Sequence, residues 1–183
     1  MNHDIRFFGN PVLRTKADPV ENIDDEIRAL GHEMIDIMRK SEGVGLAAQQ
    51  IGETRAICVI EVPEEYDVDA DGNRLNPELA MPAVLINPVI TNSSKKEDAH
   101  DEGCLSFPGI RGSINRPRSI HLSFIDEQGA ARELDVTGFT ARVIQHEVDH
   151  LNGVLFIDRM SAAKRFTLSG KLKRLREDYA VTA

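Results

Sequence analysis

The chain has 183 residues, 41% of them apolar and 28% charged, with a net charge of −8. That length suits one core and is short for two, so a single unit over residues 1–183 is expected. The acidic balance argues against general DNA binding, no apolar run approaches a membrane span, and Met1-Asn2-His3-Asp4 resembles neither a signal peptide nor an Arg-rich transit sequence, so a cytoplasmic location is expected.

Residues 24–41 read as an amphipathic helix, with Ile27, Leu30, Met34 and Ile37 or Met38 recurring at steps of three and four and Gly43 after its end. The segment Gly43-Val44-Gly45-Leu46-Ala47-Ala48-Gln49-Gln50 is too small and Gly-rich for a packed helix. Strands are predicted at 56–62, 83–91, 119–125 and 132–137, the last two joined by the turn Asp126-Glu127-Gln128-Gly129. A helix follows at 140–152, with Phe139, Val143, Ile144 and Leu151 as its apolar stripe and Asn152-Gly153 as its stop. A final helix begins near Ser161, with Leu168, Leu172, Leu175 and Tyr179 as its apolar edge. Strands precede the second helix instead of alternating with helices. The expected class is therefore α+β, with mostly antiparallel sheets packed around that central helix and one helix towards each end of the chain.

Chemistry concentrates in Gln145-His146-Glu147-Val148-Asp149-His150. Two imidazoles four residues apart on a helix share a face and can close on one metal ion, and Glu147 beside them can take a proton from water. A catalytic site needs a third protein ligand. The pattern that adds a third His after a Gly fails here, because Phe156 stands at that position. Glu177, the only later Glu, sits among Lys171, Lys173, Arg174 and Arg176 and is better read as a solvated ion-pairing residue. Cys104 is the better candidate, since a thiolate binds divalent first-row metals strongly. Cys58, within an apolar strand, reads as a buried structural thiol.

Three segments together resemble those of bacterial peptide deformylases, in the family's order: Gly43 to Gln50, then Glu102-Gly103-Cys104-Leu105-Ser106, then Gln145 to His150. Pro11-Val12-Leu13-Arg14 is also similar to the family's opening, whereas the acidic stretch Pro63 to Pro82 looks longer than in compact members. The resemblance implies removal of the formyl group from the formyl-methionine of nascent peptides, with release of formate. It implies that Cys104, His146 and His150 hold one metal ion, Fe²⁺ with Zn²⁺ as the close rival. Glu147 would relay the proton of the attacking water to the leaving amine. The Gln50 side-chain amide and the Leu105 backbone N–H would donate to the oxyanion. Val44 and Gly45 would line the substrate cleft, and Phe139 and Val143 would help enclose the methionine side chain. The alternative enzyme reading is a His-Glu-x-x-His metallopeptidase, disfavoured by the absent third His. A closed structural metal site would not need Glu147 or Gln50 beside it.

Two surface features complete the reading. Asp67-Val68-Asp69-Ala70-Asp71-Gly72 with Glu78 satisfies a calcium-loop pattern, but Pro63, Pro77 and Pro82 leave no room for flanking helices, and a solvated hairpin tip is expected instead. The C-terminal run Lys164, Arg165, Lys171, Lys173, Arg174 and Arg176 reads as a solvated face, with a contact to ribosomal RNA as the functional alternative.

Overall fold

The computed structural model describes residues 3–179, so Met1 and Asn2 of the opening segment lie outside it. The first predicted helix is α1, Asp25–Lys40, and the Asp24 carboxylate caps it by accepting from the Ile27 N–H at 3.0 Å. Its apolar stripe is buried through Ile27, Leu30, Met34 and Met38, each worth roughly 1.5–3 kcal/mol of transfer free energy.

Next come β1 (Gly45–Ala47), β2 (Ile57–Ile60) and β3 (Ala83–Ser93), then β4 (Glu97–Gly103), β5 (Arg111–Pro117), β6 (Ser119–Ile125) and β7 (Ala131–Thr137). Five of these form one antiparallel sheet in the order β1-β2-β3-β6-β7, which leaves β1 at an edge. β2 and the first four residues of β3 are buried on both faces, which explains their unbroken apolar runs, whereas β6 alternates buried and half-buried residues. Ile57, Val59, Val84 and Ile86 pack with Leu30, Met34 and Met38 of α1. Cys58, Ile60, Leu85 and Leu122 point the other way. The β6–β7 hairpin closes at Asp126–Gly129 as predicted, where Asp126 Oδ1 accepts from the N–H groups of Gln128 and Ala130.

Against the second face lies α2, Gly138–Leu151, in which every residue from Thr140 to Leu151 is buried. Ile144 and Val148 meet the sheet. On another side Gln145 Nε2 donates to Pro117 O at 3.0 Å, and Arg142 donates to Ile114 O and Asp98 O, tying α2 to the β4–β5 hairpin. Asn152 ends the helix, and Gly153 takes the left-handed φ of 70° that the stop requires.

Three departures from expectation stand out. The two-stranded β4–β5 sheet was not predicted, because Glu97-Asp98-Ala99-His100-Asp101-Glu102-Gly103 has almost no apolar residue to set a period. The final helix is broken into two segments, α4 (Ala162–Thr167) and α5 (Ser169–Asp178), and an unpredicted single turn, α3 (Phe156–Arg159), precedes them. Thr167 and Gly170 are weak helix formers, and the Thr167 hydroxyl donates to Lys164 O at 2.7 Å. Leu168, Leu172 and Leu175 are buried as expected, whereas Tyr179 is 43% exposed and rests at a tilt against the Phe7 ring.

The acidic stretch is exposed from Asp69 to Arg74, as a hairpin tip should be. Asp67, the first position of the calcium pattern, turns inward instead. It accepts from Thr140 Oγ1 at 2.7 Å and from Asn76 Nδ2, and pairs with Arg74. Its oxygens are thus committed at the N-terminus of α2, where a carboxylate is favoured.

Candidate active site

The two imidazoles of α2 sit one turn apart and edge to face, with ring centroids 5.0 Å from each other. Cys104 lies in the turn just after β4 and reaches them across the molecule, its Sγ 3.2 Å from His150 Nε2. Ligand atoms of Cys104, His146 and His150 all lie within 4.8 Å of one another, and they form the only such group of three among the described residues.

The surroundings fit a cation between those atoms. Glu102, two residues before Cys104, places Oε2 3.0 Å from His146 Nδ1. Burial pushes the Glu102 carboxyl up, yet hydrogen bonds from His146 and Arg116 outweigh it and hold the pKa at about 2. An ionised carboxylate only accepts, so a proton belongs on Nδ1, which leaves Nε2 as the nitrogen where a cation could replace a proton. For His146 itself, burial disfavours charge, but its hydrogen bonds to Cys104 and Glu102 outweigh burial and raise the pKa to about 10. This pocket therefore welcomes positive charge beside the Cys104 sulfur. Burial keeps His150 neutral, well below its ordinary range, as a ligating imidazole must be.

Glu147 is buried beside this trio, and burial raises its carboxyl to about 7. Its Oε2 has no hydrogen-bond partner among the described residues, so one oxygen remains available to a reacting group. A Cβ at Gly45 would overlap Glu147 Oε1. The missing side chain therefore makes room first of all for this carboxylate. Gln50 follows β1 in a short 3-10 turn, Ala48–Ile51. Its Oε1 accepts from the Ala47 N–H at 2.8 Å, and its Nε2 lies 3.4 Å from Cys104 Sγ. Leu105 adjoins Cys104 in sequence, so both sequence-predicted oxyanion donors border the metal-ligand trio.

Of the residues expected around the substrate, Gly45 lies on edge strand β1, with Val44 just before it. Val143 is buried in the core between α2 and the sheet. Phe139 is partly buried against the same cluster, with its ring 5.7 Å from that of Tyr66.

A buried charge network around the trio escaped the sequence reading. Glu102 accepts from Arg116 (Nε 2.7 Å, Nη2 3.0 Å) and from Arg142 Nη1 at 2.6 Å. Arg116 also donates to Asp149 at 2.8 Å, which in turn pairs with Arg159. One signal was present: Arg142 and Asp149 stand four before and three after His146, on its side of a helix whose other residues are mostly apolar.

Comparison with known proteins bears on this arrangement directly. A sequence profile of polypeptide deformylase matches residues 2–166. The chain belongs to the polypeptide deformylase family. A peptide deformylase of Opitutus terrae is 41% identical over 180 residues, covering 96% of this chain and 93% of that protein. That of Rhizorhabdus wittichii is 42% identical over 167 residues, 91% of each chain. Among solved structures, a peptide deformylase from Ehrlichia chaffeensis superposes with a TM-score of 0.84 at 35% identity, covering 97% of this chain and 98% of that one. One from Synechococcus elongatus in complex with actinonin gives 0.82 at 38%, covering 98% and 89%. Deformylases are metal-dependent hydrolases of protein biosynthesis, and the Cys104–His146–His150 group can hold such an ion. No described helix is long and apolar enough to cross a membrane.

Proposed function

We propose that this chain hydrolyses the formamide bond of formyl-methionyl nascent peptides, yielding formate and a free amino terminus, with Cys104, His146 and His150 as ligands of one divalent ion. The observation that carries this reading is the convergence of those three ligand atoms beside the buried Glu147, whose Oε2 has no hydrogen-bond partner among the described residues. We assign Fe²⁺ as the native ion and Zn²⁺ as its rival, because one thiolate with two imidazoles accommodates either. When bound, the ion supplies Lewis acidity and lowers the pKa of water to about 7.

The chain's own residues do the rest. Glu147, raised by burial, is basic enough to accept a proton from water near neutral pH, and acidic enough to return it to the departing amine. Gln50 Nε2 and the Leu105 N–H donate to the formyl oxygen as it gains charge. At the edge of its sheet, β1 offers Val44 and Gly45 to an extended peptide, which can add to a sheet edge through its backbone. Phe139 and Val143 flank the methionine side chain. The exposed basic residues of the C-terminal segments, Lys164, Arg165, Lys171, Lys173 and Arg174, face ribosomal RNA. Arg176 lies over the Phe8 ring instead, 5.1 Å from its centroid.

Formate release from a formyl-Met peptide tests the reading, with casein digestion as the control. Glu147→Ala should retain the metal and lose turnover by several orders of magnitude. Near-full activity in that variant would remove Glu147 from the reaction.

A further inference from the structure

The Gln50 amide is held at three points. Oε1 accepts from the Ala47 N–H at 2.8 Å, while Nε2 lies 3.4 Å from Cys104 Sγ and 3.3 Å from Ser106 Oγ. An amide nitrogen has two hydrogens. With one spent on Ser106, the other is aimed at the sulfur side, where the reacting oxygen must lie. Ser106 itself is fully buried. It is also anchored from outside the site: the N-terminal strap donates Phe8 N–H to Ser106 O at 3.0 Å and Arg6 N–H to Gln50 O at 2.6 Å. Phe8 then stacks on Phe107, with ring centroids 4.8 Å apart. One short stretch of chain thus clamps the turn carrying Gln50 to the turn carrying Cys104 and Leu105.

We infer that Ser106 is a positioning residue that acts through Gln50: its hydroxyl orients the oxyanion donor, and the strap at Arg6–Phe8 fixes the spacing between the two donor turns. This rests on the reading of Gln50 as an oxyanion donor. A donor held before the reaction needs no reorganisation as charge develops, so losing the hold should reach the rate and not ground-state binding.

The test is a double-mutant cycle on the full-length, metal-loaded protein with a formyl-Met peptide. Ser106→Ala should lower kcat about tenfold, the worth of one hydrogen bond, with KM and metal content unchanged. In a Gln50→Ala background the same substitution should cost nothing further. Ser106→Thr and Ser106→Val are isosteres of each other, and only the valine should lose rate, a comparison that holds even if the alanine variant folds poorly. In metal-free protein labelled with ¹⁵N-glutamine, one Gln50 side-chain proton should exchange slowly with solvent and lose that protection in Ser106→Ala. Equal losses in both backgrounds, or equal rates for the threonine and valine variants, would overturn the inference while leaving Gln50 as donor. Should Gln50→Ala alone leave kcat intact, the donor reading fails and the inference with it.

Discussion

Replacing Glu102 by Gln tests whether the buried charge network holds the site together. The side chain keeps its shape, but one carboxylate oxygen becomes an NH₂. Oε1 faces Arg116 and Arg142, and Oε2 faces Arg116 and His146. Whichever way the amide turns, its NH₂ therefore meets at least one arginine donor, and that hydrogen bond cannot form. Arg116 and Arg142 are 4% and 6% exposed, so water cannot replace the lost partner. Removing one side of a buried ion pair costs about 3–5 kcal/mol. The carboxyl held at about 2, against an ordinary 4.5, points to the same scale, on the order of 3 kcal/mol. At about 2–4 °C per kcal/mol for a chain of this size, melting should fall by roughly 6–20 °C. Without its carboxylate, His146 loses the partner that fixes its tautomer, so metal affinity should fall about 10–100-fold. Melting of the metal-free protein followed by calorimetry, and chelator competition on the loaded protein, measure the two effects separately. A Glu102→Gln variant with unchanged melting and unchanged affinity would refute the reasoning.

Two further outcomes follow from single contacts. Gly45→Ala puts a methyl group where Glu147 Oε1 sits; a carboxylate displaced by about an ångström should cost about 10²-fold in kcat at constant metal content, and steady-state kinetics beside metal analysis checks this. For Asp158, burial raises the carboxyl, but hydrogen bonds from Arg14 and the Leu155 N–H outweigh it and leave it below its usual 3.8. A carboxylate depressed on folding stabilises above its unfolded pKa and is lost as pH falls through the folded value. Asp158→Asn should therefore melt lower than the parent at pH 7, with the gap closing below about pH 4; a gap constant across pH would exclude the ion pair as its cause.

Much of the fold was legible because local periodicity and burial agree. α1 shows its stripe, β2 and β3 their unbroken apolar runs, and the β6–β7 turn its Asp and Gly, each under a constraint acting within a few residues. The His146–His150 pair was legible for the same reason, since helical pitch alone stacks residues four apart. Where contacts join segments distant in sequence, the pattern fell silent. The β4–β5 hairpin carries buried Glu102 and Arg116 where an apolar alternation would have marked it. Asp67 was expected in a solvated hairpin tip, and only its partners Thr140 and Asn76, distant in sequence, turn it inward.

Sequence by itself determined the helical metal-binding element, the strands around it and the type of chemistry its side chains can support. Only the tertiary structure decided that the Cys104 thiol meets those imidazoles, that Glu102 is ionised against two buried arginines, and that the absent side chain of Gly45 makes room for Glu147. The physical reason is range. Dihedral preference and apolar spacing are properties of neighbours along the chain, whereas a buried charge is tolerated only when folding brings its counter-charge within hydrogen-bonding distance.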